Sequence, residues 1–259
     1  MEIDGSHVLV AGATGAIGTA LSAELASRGA RLALAGRDPG RLARAARTHG
    51  AAATAVFDAY DPGSCASAVH RAAEELGGLD AVVTVFGTVA FGTAPSVGDE
   101  VAEHLLAVNA LAPAAFLRAA LGTLRDGGAI AAVTGVVAER PMPGMADYSA
   151  SKAALGAWLD AVRRETRPRG VQVLDIRFGH LDTGFADRPV AGTARPCRPA
   201  ATSARRSAPS PTPSTPAPTA SSPPRTAPTP PNGTPADRVL DTPPDRPTRK
   251  RRLVGQHTA

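Results

Sequence analysis

Tyr148 and Lys152 stand four residues apart in Asp147-Tyr148-Ser149-Ala150-Ser151-Lys152, a spacing that puts both side chains on one face of a helix. The chain holds two tyrosines and two lysines, and Lys152 is the only lysine before residue 190. A phenol with a pKa of about 10 is a poor proton carrier near neutrality. An ammonium one helical turn away favours the phenolate and brings that pKa toward the working range, which suits general acid–base chemistry. The bland alternative is an exposed Tyr/Lys pair on a surface helix.

A second candidate is the run Gly12-Ala13-Thr14-Gly15-Ala16-Ile17-Gly18, which follows the apolar stretch His7-Val8-Leu9-Val10-Ala11. Gly12, Gly15 and Gly18 permit a tight strand-to-helix turn. There the backbone N–H groups beside Thr14 and Ile17 can approach a pyrophosphate at a helix N-terminus. The second apolar run closes on Ala35-Gly36-Arg37-Asp38. Gly36 leaves space, and the planar fork of Arg37 matches a ribose 2′-phosphate, so NADP(H) is favoured over NAD(H) as cofactor. The alternative for Arg37 is a solvated loop arginine. Asp58, after the third run, either accepts from an adenine amine or is a turn carboxylate before Pro62.

The elements that must position these residues follow from apolar periodicity. Strand-like runs fall at His7–Ala11, Arg31–Ala35, Ala52–Phe57, Asp80–Val85, Ala129–Thr134 and Val171–Arg177. Helical patterns lie at Ile17–Arg28, Pro39–Thr48, Ser64–Leu76, Val97–Leu124 and Tyr148–Arg167. Apolar strands alternating with helices predict an α/β fold: a doubly wound, Rossmann-like parallel sheet covered on both faces.

With these motifs in place, residues 5–190 resemble the short-chain dehydrogenase/reductase family. The resemblance rests on the glycine turn, Asp58, Asn109 in Ala107-Val108-Asn109-Ala110, the Tyr148/Lys152 segment, and Gly179-His180-Leu181-Asp182-Thr183. It implies an NAD(P)-dependent oxidoreductase that interconverts a small-molecule carbonyl and an alcohol by hydride transfer. Tyr148 would be the general acid/base, and Lys152 would hold the nicotinamide ribose. Asn109 would position a water in the proton relay, Thr183 would touch the carboxamide, and Gly87 would remain from the family's segment after strand four.

The departures bear on activity. Thr84-Val85-Phe86-Gly87 replaces the usual Asn-Asn-Ala-Gly, and Phe178-Gly179 replaces Pro-Gly. The serine expected 13 residues before the tyrosine is Gly135. Its neighbour Thr134 would serve only if the strand bends, since successive strand side chains point to opposite faces. Losing one preorganised donor costs about 10²–10³ in rate. The expectation is therefore an impaired enzyme. The alternative is a catalytically weak or inactive dinucleotide-binding protein with a sensing or scaffolding role.

Composition divides the chain. The net charge of +5 conceals 17 basic and 20 acidic residues up to Val190, against 11 basic and 3 acidic from Ala191 to Ala259. The latter segment holds 16 of the 24 prolines and none of the nine aromatics. So apolar-poor a stretch cannot offset its ordering entropy, which predicts a folded domain over 1–190 and a disordered tail over 191–259. The fold would then lack its last helix and strand, and much of the substrate cover. Between Ala191 and Thr234 all residues but Asn232 have codons with C or G at the second base. That is the signature of a shifted frame in GC-rich coding sequence, so the tail reads as a frameshift remnant; the competing account is a basic arm.

Several classes are set aside. The charge split excludes a uniformly basic nucleic-acid-binding domain. No run approaches the ~20 apolar residues of a membrane span, and the acidic Met1-Glu2-Ile3-Asp4 is unlike a signal peptide. Cys65 and Cys197 lie outside metal-ligand or CxxC spacing. The expectation is a cytoplasmic protein without bound metal, membrane or nucleic-acid partner. The atypical C-terminus would weaken the surface through which a homo-oligomer forms.

Overall fold

The computed structural model describes residues 2–179 and 181–192; the expectations for the tail from Thr193 onward lie outside them. Six strands form one parallel sheet: β1 (His7–Ala11), β2 (Arg31–Gly36), β3 (Ala53–Val56), β4 (Leu79–Thr84), β5 (Leu124–Val133) and β6 (Gln172–Ile176). Their spatial order is β3-β2-β1-β4-β5-β6, so the chain reverses its direction of travel between β1 and β4. In doubly wound sheets the crevice at such a switch point, outside the carboxyl ends of the strands, is where ligands bind. The six sequence-predicted strands are all present, and the sheet has the expected Rossmann-like order.

Burial on both faces explains the unbroken apolar runs. In β1 and β2, Val8, Val10, Leu32 and Leu34 pack with Leu25 of α1 (Ala16–Ser27) and Leu42 of α2 (Pro39–His49). The alternate residues Leu9, Ala11, Ala33 and Ala35 belong to the core on the other face. That core includes Val69 of α3 (Pro62–Leu76), Phe116 of α5 (Ala112–Thr123) and Leu159 of α6 (Ala146–Glu165). Phe57, Phe86 and Phe116 make a cluster of tilted and edge-on rings with centroids 4.8–5.8 Å apart.

Helix ends follow local chemistry. The Asp38 carboxylate accepts from Arg41 N–H at 2.8 Å and caps α2; Asp61 accepts from Gly63 N–H at 2.8 Å and caps α3. Both helices open on proline and close on a glycine in the left-handed region, Gly50 and Gly77.

The single helix predicted over Val97–Leu124 is instead α4 (Asp99–Leu106), a π-helical turn (Ala107–Leu111) and α5. The π turn inserts an extra residue and carries Asn109, the kind of place where such turns serve function. The continuous stretch Asp99–Thr123 has an 18-residue window of mean hydropathy 1.6, so by length and composition it could cross a bilayer, contrary to the sequence expectation. Over half of that window is buried, as befits a helix packed in a core.

Among the described residues the sheet ends at β6, whose Leu174 is 43% exposed on the face away from α6. The further helix and strand that the sequence reading finds lacking would fall after Val190, where all but Ala191 and Gly192 lie outside the described residues.

Candidate active site

The glycine turn joins β1 to α1 at the switch point. Gly12 and Ala13 donate to the Ala35 carbonyl at 2.9 and 3.1 Å, locking the turn to β2, and Gly15 donates to Gly12 at 3.1 Å. Gly12 has φ +92°, and a Cβ there would stand 2.8 Å from Phe86 N. A Cβ on Gly18 would overlap the Gly12 carbonyl oxygen and lie 2.8 Å from Ala13 Cα. Both positions therefore require glycine, because the obstacles are backbone atoms.

Unlike α2 and α3, which Asp38 and Asp61 cap, α1 begins without a side-chain cap. Its leading N–H groups, beside the exposed Gly15 and half-buried Thr14 and Ile17, remain available to an anion. Gly18→Ala is expected to lower stability by about 1–3 kcal/mol and to abolish dinucleotide binding, checked by thermal denaturation and calorimetric titration.

Arg37 is exposed at the end of β2, with no hydrogen bond or ion pair among the described residues. Nearby, Arg41 donates from Nη2 to the Thr14 carbonyl at 2.7 Å, a second guanidinium at the same end of the crevice. Sequence reading missed Arg41. Its only signal was its place in the first turn of α2, four residues after Arg37. The Asp38 carboxylate is turned into its own helix, where the Arg41 N–H holds it below the usual carboxylate range. Asp58 is exposed, and its Oδ1 accepts from Tyr60 N–H at 2.9 Å, the geometry of a turn carboxylate.

The opposite end of the crevice is assembled from β4, the π turn and α6. Asn109 is fully buried, and its side chain is a clamp. Oδ1 accepts from Thr88 N–H at 2.9 Å, while Nδ2 donates to the Thr88 carbonyl at 2.9 Å and to Ser151 Oγ at 3.0 Å. Ser151 in turn donates to the Tyr148 carbonyl at 2.7 Å. The predicted Asn109 thus joins the segment after β4 to the helix that carries Tyr148. Thr88 and Ser151 are contributors that the sequence did not single out. Gly87 sits inside this corner: a Cβ on it would be 2.9 Å from Asn109 Oδ1 and 3.2 Å from Lys152 Nζ.

Tyr148 and Lys152 share a face of α6, as their spacing predicts. Lys152 is 4% exposed, and its Nζ donates to the Val133 carbonyl at 2.9 Å. Burial pushes its pKa down to about 8, opposed by the charge of Asp175. Burial also pushes the half-buried Tyr148 phenol up to about 12. The expected lowering of the phenol by its lysine is therefore not what this arrangement yields. Desolvation dominates, and the ammonium spends its hydrogen bond on a neutral carbonyl.

Gly135 follows β5 with φ +84° and ψ 163°, a conformation essentially reserved for glycine. Thr134 does not replace the missing serine: it is fully buried, and its hydroxyl donates to Asp175.

The cover is more complete than the sequence suggests. The Phe185 ring lies 6.5 Å from that of Tyr148, and half-buried Thr183 stands two residues before it. Val190 N–H donates to the Val89 carbonyl, and Phe91 N–H donates to that of Ala191, each at 2.9 Å. The wall thus continues through Ala191, because backbone pairing with residues 89–91 holds a segment that has few apolar side chains.

Comparison with known proteins agrees with this geometry. The family model described as short chain dehydrogenase matches residues 6–192. A Bos taurus protein named dehydrogenase/reductase SDR family member 7B is 27% identical over 192 residues, covering 69% of this chain; the chain spans 59% of that relative's length. The cyclic-di-GMP-binding biofilm dispersal mediator protein of Escherichia coli K12 is 31% identical over 183 residues, 69% of this chain and 74% of its own. A short chain dehydrogenase from Burkholderia cenocepacia J2315, solved in complex with NADP, superposes with a TM-score of 0.68 at 32% identity, covering 73% of this chain and 79% of its own.

Proposed function

Because the chain belongs to the short chain dehydrogenase family, we propose that it is an NADP(H)-dependent oxidoreductase interconverting a small-molecule carbonyl and an alcohol. The observation that carries this is the convergence, at one switch-point crevice, of the uncapped N-terminus of α1 with the Tyr148–Lys152 face of α6. The Burkholderia cenocepacia relative in complex with NADP supports the choice of cofactor. So does Arg37, without a partner among the described residues where an NAD-binding fold usually offers a carboxylate.

The glycine turn and the leading N–H groups of α1 would hold the pyrophosphate. Arg37, with Arg41 beside it, would meet the ribose phosphate, and Asp58 has one carboxylate oxygen free to meet the adenine. Lys152 would hold the nicotinamide ribose, and Thr183 would touch the carboxamide. When bound, the nicotinamide supplies hydride chemistry. The chain itself handles the proton: the Tyr148 hydroxyl, protonated near neutrality, donates it to a developing alkoxide, and in the reverse direction the Tyr148 phenolate takes it back from the alcohol. Asn109 keeps the corner rigid through Thr88 and Ser151, and Phe185 excludes water from the phenol. The proposal extends to a cytoplasmic enzyme without nucleic-acid or membrane partners.

Calorimetric titration with NADPH and NADH tests this. NADPH is expected to bind about 10- to 100-fold more tightly, the worth of one charge-assisted contact of about 1.5–3 kcal/mol, and Arg37→Ala is expected to erase that preference. Failure to bind either nucleotide sinks the proposal, and a preference for NADH removes the role of Arg37.

Gly135 favours a second reading, a dinucleotide-binding protein with a sensing or scaffolding role. The name of the Escherichia coli relative makes cyclic-di-GMP the informative third ligand in that titration.

A further inference from the structure

Asp175 lies on β6 with a side chain only 4% exposed, a costly place for a carboxylate unless partners offset its desolvation. Its Oδ1 accepts from the Thr134 hydroxyl, and its Oδ2 accepts from Arg177 Nε at 2.8 Å; Arg177 also pairs with Glu139. Across the layer, a Cβ placed on Gly156 of α6 would stand 3.7 Å from Oδ2. Lys152 precedes Gly156 by four residues, one helical turn, and so projects from the same face of α6.

A staple for Arg177 is an insufficient account of this carboxylate. Arg177 is one-third exposed and already has Glu139 as a partner at the surface. The Lys152 ammonium, by contrast, is buried with a hydrogen bond to one neutral carbonyl, that of Val133. A buried full charge met only by a neutral acceptor is under-compensated. Asp175 is also the charge that opposes the effect of burial on Lys152.

We propose that Asp175 is a positioning residue of the Tyr148–Lys152 pair: its buried carboxylate is the counter-charge that keeps the Lys152 ammonium protonated in its dry seat. Thr134 and Arg177 orient that carboxylate. The remaining titratable or charged members of the cluster, among the described residues, are Tyr148 on α6, Arg177 on β6 and Glu139 beyond β5. The catalytic consequence rests on the oxidoreductase role proposed above; the electrostatic one does not.

The chain has two lysines, so protein made with carbon-13-labelled lysine gives two side-chain resonances, and Lys250→Arg assigns them. Asp175→Asn is expected to move the Lys152 titration midpoint down by about one pH unit or more, with Lys250 unmoved and Asp175→Glu close to the parent. Asp175→Ala, which leaves space rather than an amide, reads the same loss if the asparagine variant does not fold. A Lys152 midpoint unchanged in the neutral variants overturns the proposal. In turnover assays the same variants are expected to lose the alkaline end of the pH profile by the same shift. A shifted lysine in a protein that shows no turnover upholds the counter-charge while sinking the enzyme proposal. An unshifted lysine in an active enzyme sinks the counter-charge alone.

Discussion

Replacing Tyr148 by phenylalanine is expected to lower turnover by about 10²–10⁴-fold while leaving NADPH affinity nearly unchanged. The phenyl ring keeps the packing against Phe185, and the hydrogen bonds of Ser151 and Lys152 go to backbone carbonyls that the substitution leaves in place. What disappears is the hydroxyl proposed to carry the proton. Stopped-flow or steady-state reduction of a panel of small carbonyls reads the rate, and calorimetry reads the binding. Equal turnover in Tyr148→Phe and the parent removes Tyr148 from the chemistry.

The same variant has a signature in stability. The folded phenol ionises near pH 12 and the unfolded one near 10, so between those values the native state binds more protons. The phenol's contribution is therefore fully present below pH 10 and is lost as pH rises through 12. Denaturant titrations across that window should show a decline in the parent that is smaller in Tyr148→Phe. This readout needs no substrate.

Gly135→Ser is the second large effect, because it acts on stability and rate in opposite directions. The backbone at φ +84° and ψ 163° disfavours any side chain, at a cost of about 1–3 kcal/mol. Space is not the obstacle: a Cβ there would meet the Phe178 carbonyl and Val137 at 3.7 and 3.8 Å. A hydroxyl supplied where a carbonyl oxygen gains charge is worth about 10²–10³ in rate. The expected result is a less stable protein with faster carbonyl reduction. Gly135→Ala separates the two contributions, since it carries the strain without the donor and should lose stability with no gain in rate. If neither the parent nor Gly135→Ser reduces any carbonyl while both bind NADPH, the dinucleotide-sensing reading takes precedence.

Much of this fold was legible in the sequence. All six strands appear where apolar runs predict them, because a strand covered on both faces must be apolar at every position, as Val8 to Ala11 are. The glycine turn was legible because backbone crowding at Gly12 and Gly18 leaves no room for a side chain. The Tyr148–Lys152 pairing was legible because four residues make one helical turn.

The π turn at Asn109 was not, because its period differs from that of a helix by a single residue within an apolar run. The reach of the cover to Ala191 was hidden as well, since backbone hydrogen bonds to residues 89–91 leave no mark in side-chain composition.

By itself, then, the sequence determined the order of elements, the glycine turn and the shared face of Tyr148 and Lys152. These depend on local spacing and on which residue types water excludes. Only the tertiary structure decided the electrostatic state of that pair. Residues far apart in the chain set the desolvation of Tyr148 and Lys152, the diversion of the Thr134 hydroxyl to Asp175, and the placing of that carboxylate one turn along α6 from Lys152. Burial and charge act through space, so these effects have no period or motif from which they could be read.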